Sequence, residues 1–267
     1  MALDINFEFF QICKLFTNSY RFHRNSTAAL SPAVTFCLAK MIAGGHTSKE
    51  YDRKLRILKD LLLLMGFHAE RMVADSIRAF MENRSQIAEE VILRDDTLDS
   101  LEIEVDTLCH EILALQHPVA GDLRFVATAF KIVRDIERIG DLAVNIGERV
   151  SELLQEAQSW RLVSLPIMAE AAQHIFARSL DAFVNLDEKL AEQVIVDDRA
   201  IDDMNEQIFR ELLSYMIENT ENVPRALKLI FVAKHLERVG DHATNIAEMV
   251  IFIVRGSELR RCLPSSL

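Results

Sequence analysis

The sequence predicts an all-α protein made of two tandem antiparallel three-helix bundles related by pseudo-twofold symmetry. Three observations lead there. Glycine and proline number only eight and five in 267 residues, too few for a sheet protein that needs many turns. From about Lys49 onward, apolar residues recur at spacings near three and four with charged residues between them. The second half of the chain also repeats the first.

The first helix is carried by Leu55, Leu58, Leu62, Met65, Met72, Ile77 and Phe80, the apolar stripe of an amphipathic helix. A second helix is expected over 85–115 and a third over 119–155, parted by Gln116-His117-Pro118. Proline disfavours helix at the residue before it, so the turn belongs there. After a break around 159–166, three more helices are expected over 166–185, 187–219 and 223–255. Asn219–Pro224 parts the last two, and Gly256 stands where a helix-ending glycine belongs.

The halves match helix by helix. Ala79-Phe80 pairs with Ala182-Phe183, and Asp95 and Asp99 pair with Asp198 and Asp202. Glu137-Arg-Ile-Gly-Asp141-Leu-Ala-Val-Asn145-Ile-Gly-Glu148 pairs with Glu237-Arg-Val-Gly-Asp241-His-Ala-Thr-Asn245-Ile-Ala-Glu248. Nine of the sixteen positions in 135–150 and 235–250 are identical, where chance gives roughly one. The expected organisation is a leader over 1–45, one repeat over 46–158, a second over 159–256, and a tail over 257–267.

The leader differs from the rest. It mixes Phe, Asn, Ser and Cys without steady periodicity, and Asp4 and Glu8 stand where a signal peptide carries basic residues. The composition change at Met41 marks that methionine as the expected true start.

Composition narrows the function classes. A formal charge of -11 argues against generic nucleic-acid binding, which needs clustered Lys and Arg. Cys13, Cys37, Cys109 and Cys262 have neither disulfide-framework nor zinc-knuckle spacing. The longest apolar runs fall far short of the ~20 residues that span a bilayer. A reducing cytoplasm is the expected location, with contact to a membrane no more than peripheral.

Residues at i, i+4 and i+8 form one stripe on a helix. Glu137, Asp141 and Asn145 form such a stripe, and Glu237, Asp241 and Asn245 repeat it. Like charges at i and i+4 repel by a few tenths of a kcal/mol, and mid-helix Gly140 and Gly240 each cost roughly 1 kcal/mol against alanine. Both repeats keep both unfavourable choices. A cation between the acids relieves the first, and close approach of another group explains the second. The second helices add Asp95 and Asp99, then Asp198 and Asp202, so each bundle can present four carboxylates to one site. Oxygen sites of this kind suit Mg, Mn or Fe and, less typically, Zn. Ferritin-like Glu-x-x-His pairs are missing, because glycine follows three residues after each glutamate. A solvated, salt-bridged face is the competing reading, with Arg138 and Arg238 neutralising the acids. No phosphate loop, nucleophile elbow or kinase signature occurs.

The stretches 137–146 and 237–246 resemble the paired signatures of PhoU proteins. Gln-His-Pro-Val-Ala-Gly-Asp-Leu-Arg at 116–124 and His46-Thr-Ser-Lys-Glu-Tyr51 are similar to further parts of that family's pattern. The resemblance implies paired three-helix bundles, homodimers in the cytoplasm, and negative regulation of phosphate uptake and starvation signalling. It implies an adaptor, not an enzyme, between a phosphate ABC transporter and a sensor histidine kinase. It also implies metal, chiefly iron or zinc, on Asp95, Asp99, Glu137 and Asp141, and on Asp198, Asp202, Glu237 and Asp241. The residues leave two alternatives open: a metal-dependent hydrolase, and a metal-free structural bundle.

Overall fold

Each repeat builds its bundle by laying amphipathic helices against one another around a shared apolar interior. The structure, a computed structural model, describes residues 49–118, 120–155 and 164–256, all helix and turn without a strand. The leader, the tail and residues 156–163, which include most of the expected break, lie outside the described residues. The first repeat comprises α1 (Lys49–Glu82), α2 (Ser85–Leu93), α3 (Asp95–Gln116) and α4 (Ala120–Leu154). The second comprises α5 (Ser164–Asn185), α6 (Glu188–Glu218) and α7 (Val223–Arg255). A 3₁₀ turn, Thr220–Asn222, joins α6 to α7.

The expected second helix is broken at Arg94 into α2 and α3. The Arg94 N–H bonds back to the Val91 carbonyl at 3.1 Å, a 3₁₀-type contact that tightens the chain for one turn. Its counterpart α6 runs unbroken.

The repeat extends to the turns. Asn83 and Leu186 both take left-handed conformations, with φ of 57° and 48°. Arg84 N then donates to the Ala79 carbonyl at 3.0 Å, and Asp187 N to the Ala182 carbonyl at 2.9 Å. These are the same carbonyl-capping bonds in both repeats, satisfying groups that a helix end leaves orphaned. Asp187 next caps α6 by accepting from Lys189 N and Leu190 N. Gly256, at φ 73°, ends α7 where the sequence placed it.

Within each repeat the last helix packs against all the others, and the repeats join along α4 against α7 and α1 against α5. The α4–α7 pair runs antiparallel and is fastened at both ends by arginine. Arg124 Nε donates to the Ile253 carbonyl at 3.4 Å, and Arg225 Nη1 to the Leu153 carbonyl at 3.0 Å. Each guanidinium thus meets the negative end of the opposite helix, where carbonyls lack intrahelical partners. Midway, His242 Nδ1 donates to Asp135 Oδ1 at 2.7 Å, and Asn245 Nδ2 donates to the same oxygen at 3.2 Å. Lys228 Nζ also reaches Glu152 Oε2 across the pair at 3.4 Å, and Ile136, Ile139, Ile146, Leu236, Val239 and Ile246 of these two helices are fully buried.

Arg225 is 6% exposed, so its removal orphans the Leu153 carbonyl inside the protein. Arg225→Ala is expected to cost about 1–3 kcal/mol, read as a lower midpoint in urea. Arg124→Ala, at a longer and less buried bond, is expected to cost less.

Candidate metal centre

The acid stripes lie where α3 crosses α4 in the first repeat and α6 crosses α7 in the second, and the glycines permit that crossing. A Cβ on Gly140 would lie 2.1 Å from Leu98 Cδ2, and one on Gly240 would lie 2.4 Å from Asp198 Oδ1. The mid-helix glycines are therefore explained by close approach of another helix. Leu98 is fully buried, so it has little room to yield.

In the first repeat, Asp99 and Glu102 of α3 and Glu137 of α4 each bring a carboxylate oxygen within 4.8 Å of the others. Glu102 and Glu137 are half-buried and Asp99 is exposed. Burial is the main force pushing Glu137 from its ordinary value near 4.5 up to about 7, with Asp141 adding to it. Burial first, then Asp106, raises Glu102, while Arg134 pulls it down. Asp95 is raised by burial, then by Asp99 and Asp141. Arg138 is the local counter-cation, 3.1 Å from Asp141 Oδ2 and 3.6 Å from Glu137 Oε2, but largely exposed.

The second repeat differs in one acid and in the contact its base makes. Asn205 stands where the first repeat has Glu102. Lys234 Nζ reaches Glu237 Oε1 at 2.6 Å and occupies one side of that carboxylate. The other oxygen, Glu237 Oε2, is buried without a partner. Asp202 and Asp241 are both raised by burial and then by Glu237, so these three acids share one electrostatic neighbourhood. Asp198 lies against Gly240.

The two asparagines of the stripes turn away from the acids. Asn145 donates to the Asp141 carbonyl at 2.8 Å, and Asn245 crosses to Asp135. His110 Nδ1 lies 2.8 Å from the Asp106 backbone carbonyl oxygen on an exposed surface. Glu102 was absent from the eight acids chosen from sequence, because the repeat comparison favours acids present in both copies. Its spacing of three from Asp99 on the same helix was the available signal.

The first-repeat trio fits a cation on its chemistry: three carboxylate oxygens, all hard donors, gathered from two helices. The second-repeat group keeps an unsatisfied buried oxygen but fewer acids. Among the described residues, only the first repeat brings three ligand atoms together at this distance.

The family is decided by comparison with known proteins: the PhoU domain matches residues 62–150 and again 165–250. The chain belongs to the PhoU family. A PhoU homolog of Zymomonas mobilis, a phosphate-specific transport system accessory protein, is 37% identical over 215 residues, covering 80% of this chain and 91% of its own. A PhoU homolog of Pseudomonas aeruginosa with the same description is 37% identical over 216 residues, covering 80% and 89%. Among solved structures, PhoU from Pseudomonas aeruginosa superposes with a TM-score of 0.75 at 36% identity, over 78% of this chain and 100% of that one. The phosphate transport system regulatory protein PhoU from Streptococcus pneumoniae gives 0.73 at 25% identity, over 79% and 99%. Both PhoU matches contain the paired acids, and the six-helix plan of the sequence reading is the PhoU fold.

Two outcomes follow from this geometry. The folded PhoU chain holds the Glu137 proton more tightly than the unfolded chain does. Without added metal, stability therefore falls as pH rises from about 4.5 to about 7. Glu137→Gln should flatten that descent and raise the melting temperature at pH 8, which melting curves across pH 5–8 check. Gly140→Ala should destabilise by about 1–2 kcal/mol despite better helix propensity. Gly121→Ala, with nothing within 4 Å of the new methyl, should be neutral or stabilising in the same denaturation assay.

Proposed function

We propose that this protein is a negative regulator of phosphate uptake and starvation signalling. It acts without catalysis, as an adaptor between a phosphate transporter and a sensor kinase. Family membership supports the regulatory reading, because relatives covering most of this chain are accessory proteins of phosphate-specific transport.

The observation that carries the adaptor role is an apolar face confined to the second repeat. Phe209 and Leu213 of α6 are 48% and 44% exposed, and Leu227 and Phe231 of α7 are 45% and 54% exposed. The Thr220–Asn222 turn and the approach of Asp198 to Gly240 set the antiparallel register of α6 and α7. That register brings Phe209 level with Phe231, and Leu213 level with Leu227. The corresponding first-repeat positions are Asp106, His110, Ala127 and Lys131. Three of these four places are polar in the first copy and all four are apolar in the second, so folding does not require the apolar version. Contiguous exposed apolar surface marks a protein contact. Exposed acids Asp202, Asp203 and Glu206 on α6 and bases Lys234 and Arg238 on α7 border it, as a polar rim borders a docking patch. The occupant in this reading is an apolar-faced segment of the transporter or of the kinase.

The trio Asp99, Glu102 and Glu137 would hold the cation, with Asp95 and Asp141 beside it. Iron or zinc is expected from the family resemblance, and the all-oxygen donors also suit manganese or magnesium. A bound cation would neutralise the facing acids and tie α3 to α4. The second group, Asp198, Asp202, Glu237 and Asp241, would hold one more weakly, because Lys234 competes for Glu237.

The test is complementation of a deletion strain carrying a phosphate-starvation reporter. Phe209→Ser with Phe231→Ser should leave the reporter on in high phosphate, as in the deletion strain, with normal protein level and melting temperature. Full repression by that variant contradicts the docking face. Loss of a homodimer in sedimentation, with repression kept, reassigns the face to self-association.

A further inference from the structure

In the first repeat three arginines converge on one buried carboxylate. Asp75 of α1 is 4% exposed. Arg94 Nη1 donates to its Oδ2 at 2.5 Å, Arg78 Nη1 lies 3.1 Å from its Oδ1, and Arg71 Nε lies 3.8 Å from its Oδ2. Glu90 takes a second contact from Arg94 at 3.3 Å. Among the described residues, Asp75 and Glu90 are the acids that pair with these three arginines. Three cations therefore meet two carboxylates, in a chain whose net charge is -11.

The second repeat shows how much of this the fold needs. In the alignment that pairs Asp95 with Asp198, Asp75 corresponds to Arg178 and Arg94 to Asp197. The ion pair survives with its polarity exchanged: Arg178 donates to Asp197, and also to Gln193 at 3.1 Å, the counterpart of Glu90. Arg71 and Arg78 correspond to His174 and Asp181. One Arg–Asp pair thus pins α5 to α6 where the first repeat uses three arginines. Arg71 and Arg78 are surplus to that task. Their side chains are 57% and 51% exposed, and each guanidinium has five N–H donors of which the Asp75 contacts use few.

We propose that Arg71, Arg78 and Arg94 form a binding site for a phosphate-type oxyanion, either inorganic phosphate or the phosphate of a small phosphomonoester. Planar guanidinium forks match the oxygen spacing of such anions and bind them through charge-assisted hydrogen bonds. Asp75 beneath them holds the forks in place before the ligand arrives, which lowers the ordering cost of binding. Acids elsewhere on the surface are screened beyond about 8 Å at physiological salt, whereas the three guanidiniums touch the ligand. His68 reports the same local field: burial lowers its pKa, and Arg71 and Arg94 lower it further. Arg94 is also the residue at which α2 gives way to α3, immediately before Asp95. The anion would thus engage the joint from which the first acid stripe starts. The site shares no residue with the acid trio or with the apolar face, and it stands independently of both.

Calorimetric titration of the full chain with inorganic phosphate, and separately with AMP, at fixed ionic strength tests the site. One saturable site per chain is expected for at least one of them. Arg71→Gln with Arg78→Gln should weaken it by roughly tenfold or more, with helix content and melting temperature unchanged. Should the double variant melt early, Arg71→Gln and Arg78→Gln are titrated singly, each expected to weaken binding by roughly threefold or more. Binding of phosphate identifies the free ion as ligand, and binding of AMP alone identifies the ester. No saturable binding of either by the parent chain, or unchanged affinity in the folded variants, overturns the proposal.

Discussion

The antiparallel seam of α4 along α7 is the constraint on which the rest of the structure depends. It joins the last helices of both repeats, so each bundle's own core is continuous with the seam. Buried apolar residues flank the Asp135–His242–Asn245 cluster along it, and arginines hold both ends by capping the opposite helix. A helix fixed along one face has its other faces fixed too. The acid stripes at Glu137–Asp141 and Glu237–Asp241 consequently lie toward α3 and α6 and not toward solvent alone. Burial then raises the proton affinity of Glu137 and Asp241, and close packing requires Gly140 and Gly240.

Duplication followed by divergence accounts for the differences between the copies. The backbone plan persists down to the left-handed residue at Asn83 and Leu186. A leucine there costs about 1–2 kcal/mol of backbone strain, and the bond from Asp187 N to the Ala182 carbonyl holds it. The chemistry has moved apart. Glu102 enlarges the first acid group where the second has Asn205, and Lys234, in the place of Arg134, pairs directly with Glu237. Phe209 and Phe231 give the second copy an apolar face, and Arg71 and Arg78 give the first a surplus of positive charge. The two copies offer different surfaces on one scaffold.

Much of this was legible in the sequence, for physical reasons. Long helices announce themselves by apolar period, and Pro118, Pro224 and Gly256 mark turns whose backbone demands are local. The glycines inside the repeated stripes point to a close approach, and Leu98 and Asp198 supply it. The break at Arg94 was not legible, because no Gly or Pro marks it, and Arg94's contact with Asp75 spans nineteen positions. Asp135 with His242 was equally hidden, since its partners lie 107 positions apart. Glu102 is hidden from a comparison of the two repeats, because its counterpart is Asn205.

The claim that most needs testing is that the first repeat holds the stronger metal site. Elemental mass spectrometry of the full chain, purified without chelator or affinity-metal resin, addresses it directly alongside Glu102→Gln and Asp202→Asn variants. The account predicts metal in the parent, its loss in Glu102→Gln, and its retention in Asp202→Asn, with all three proteins folded. A metal-free parent, or equal metal in parent and Glu102→Gln, would contradict it and leave the trio as a salt-bridged face.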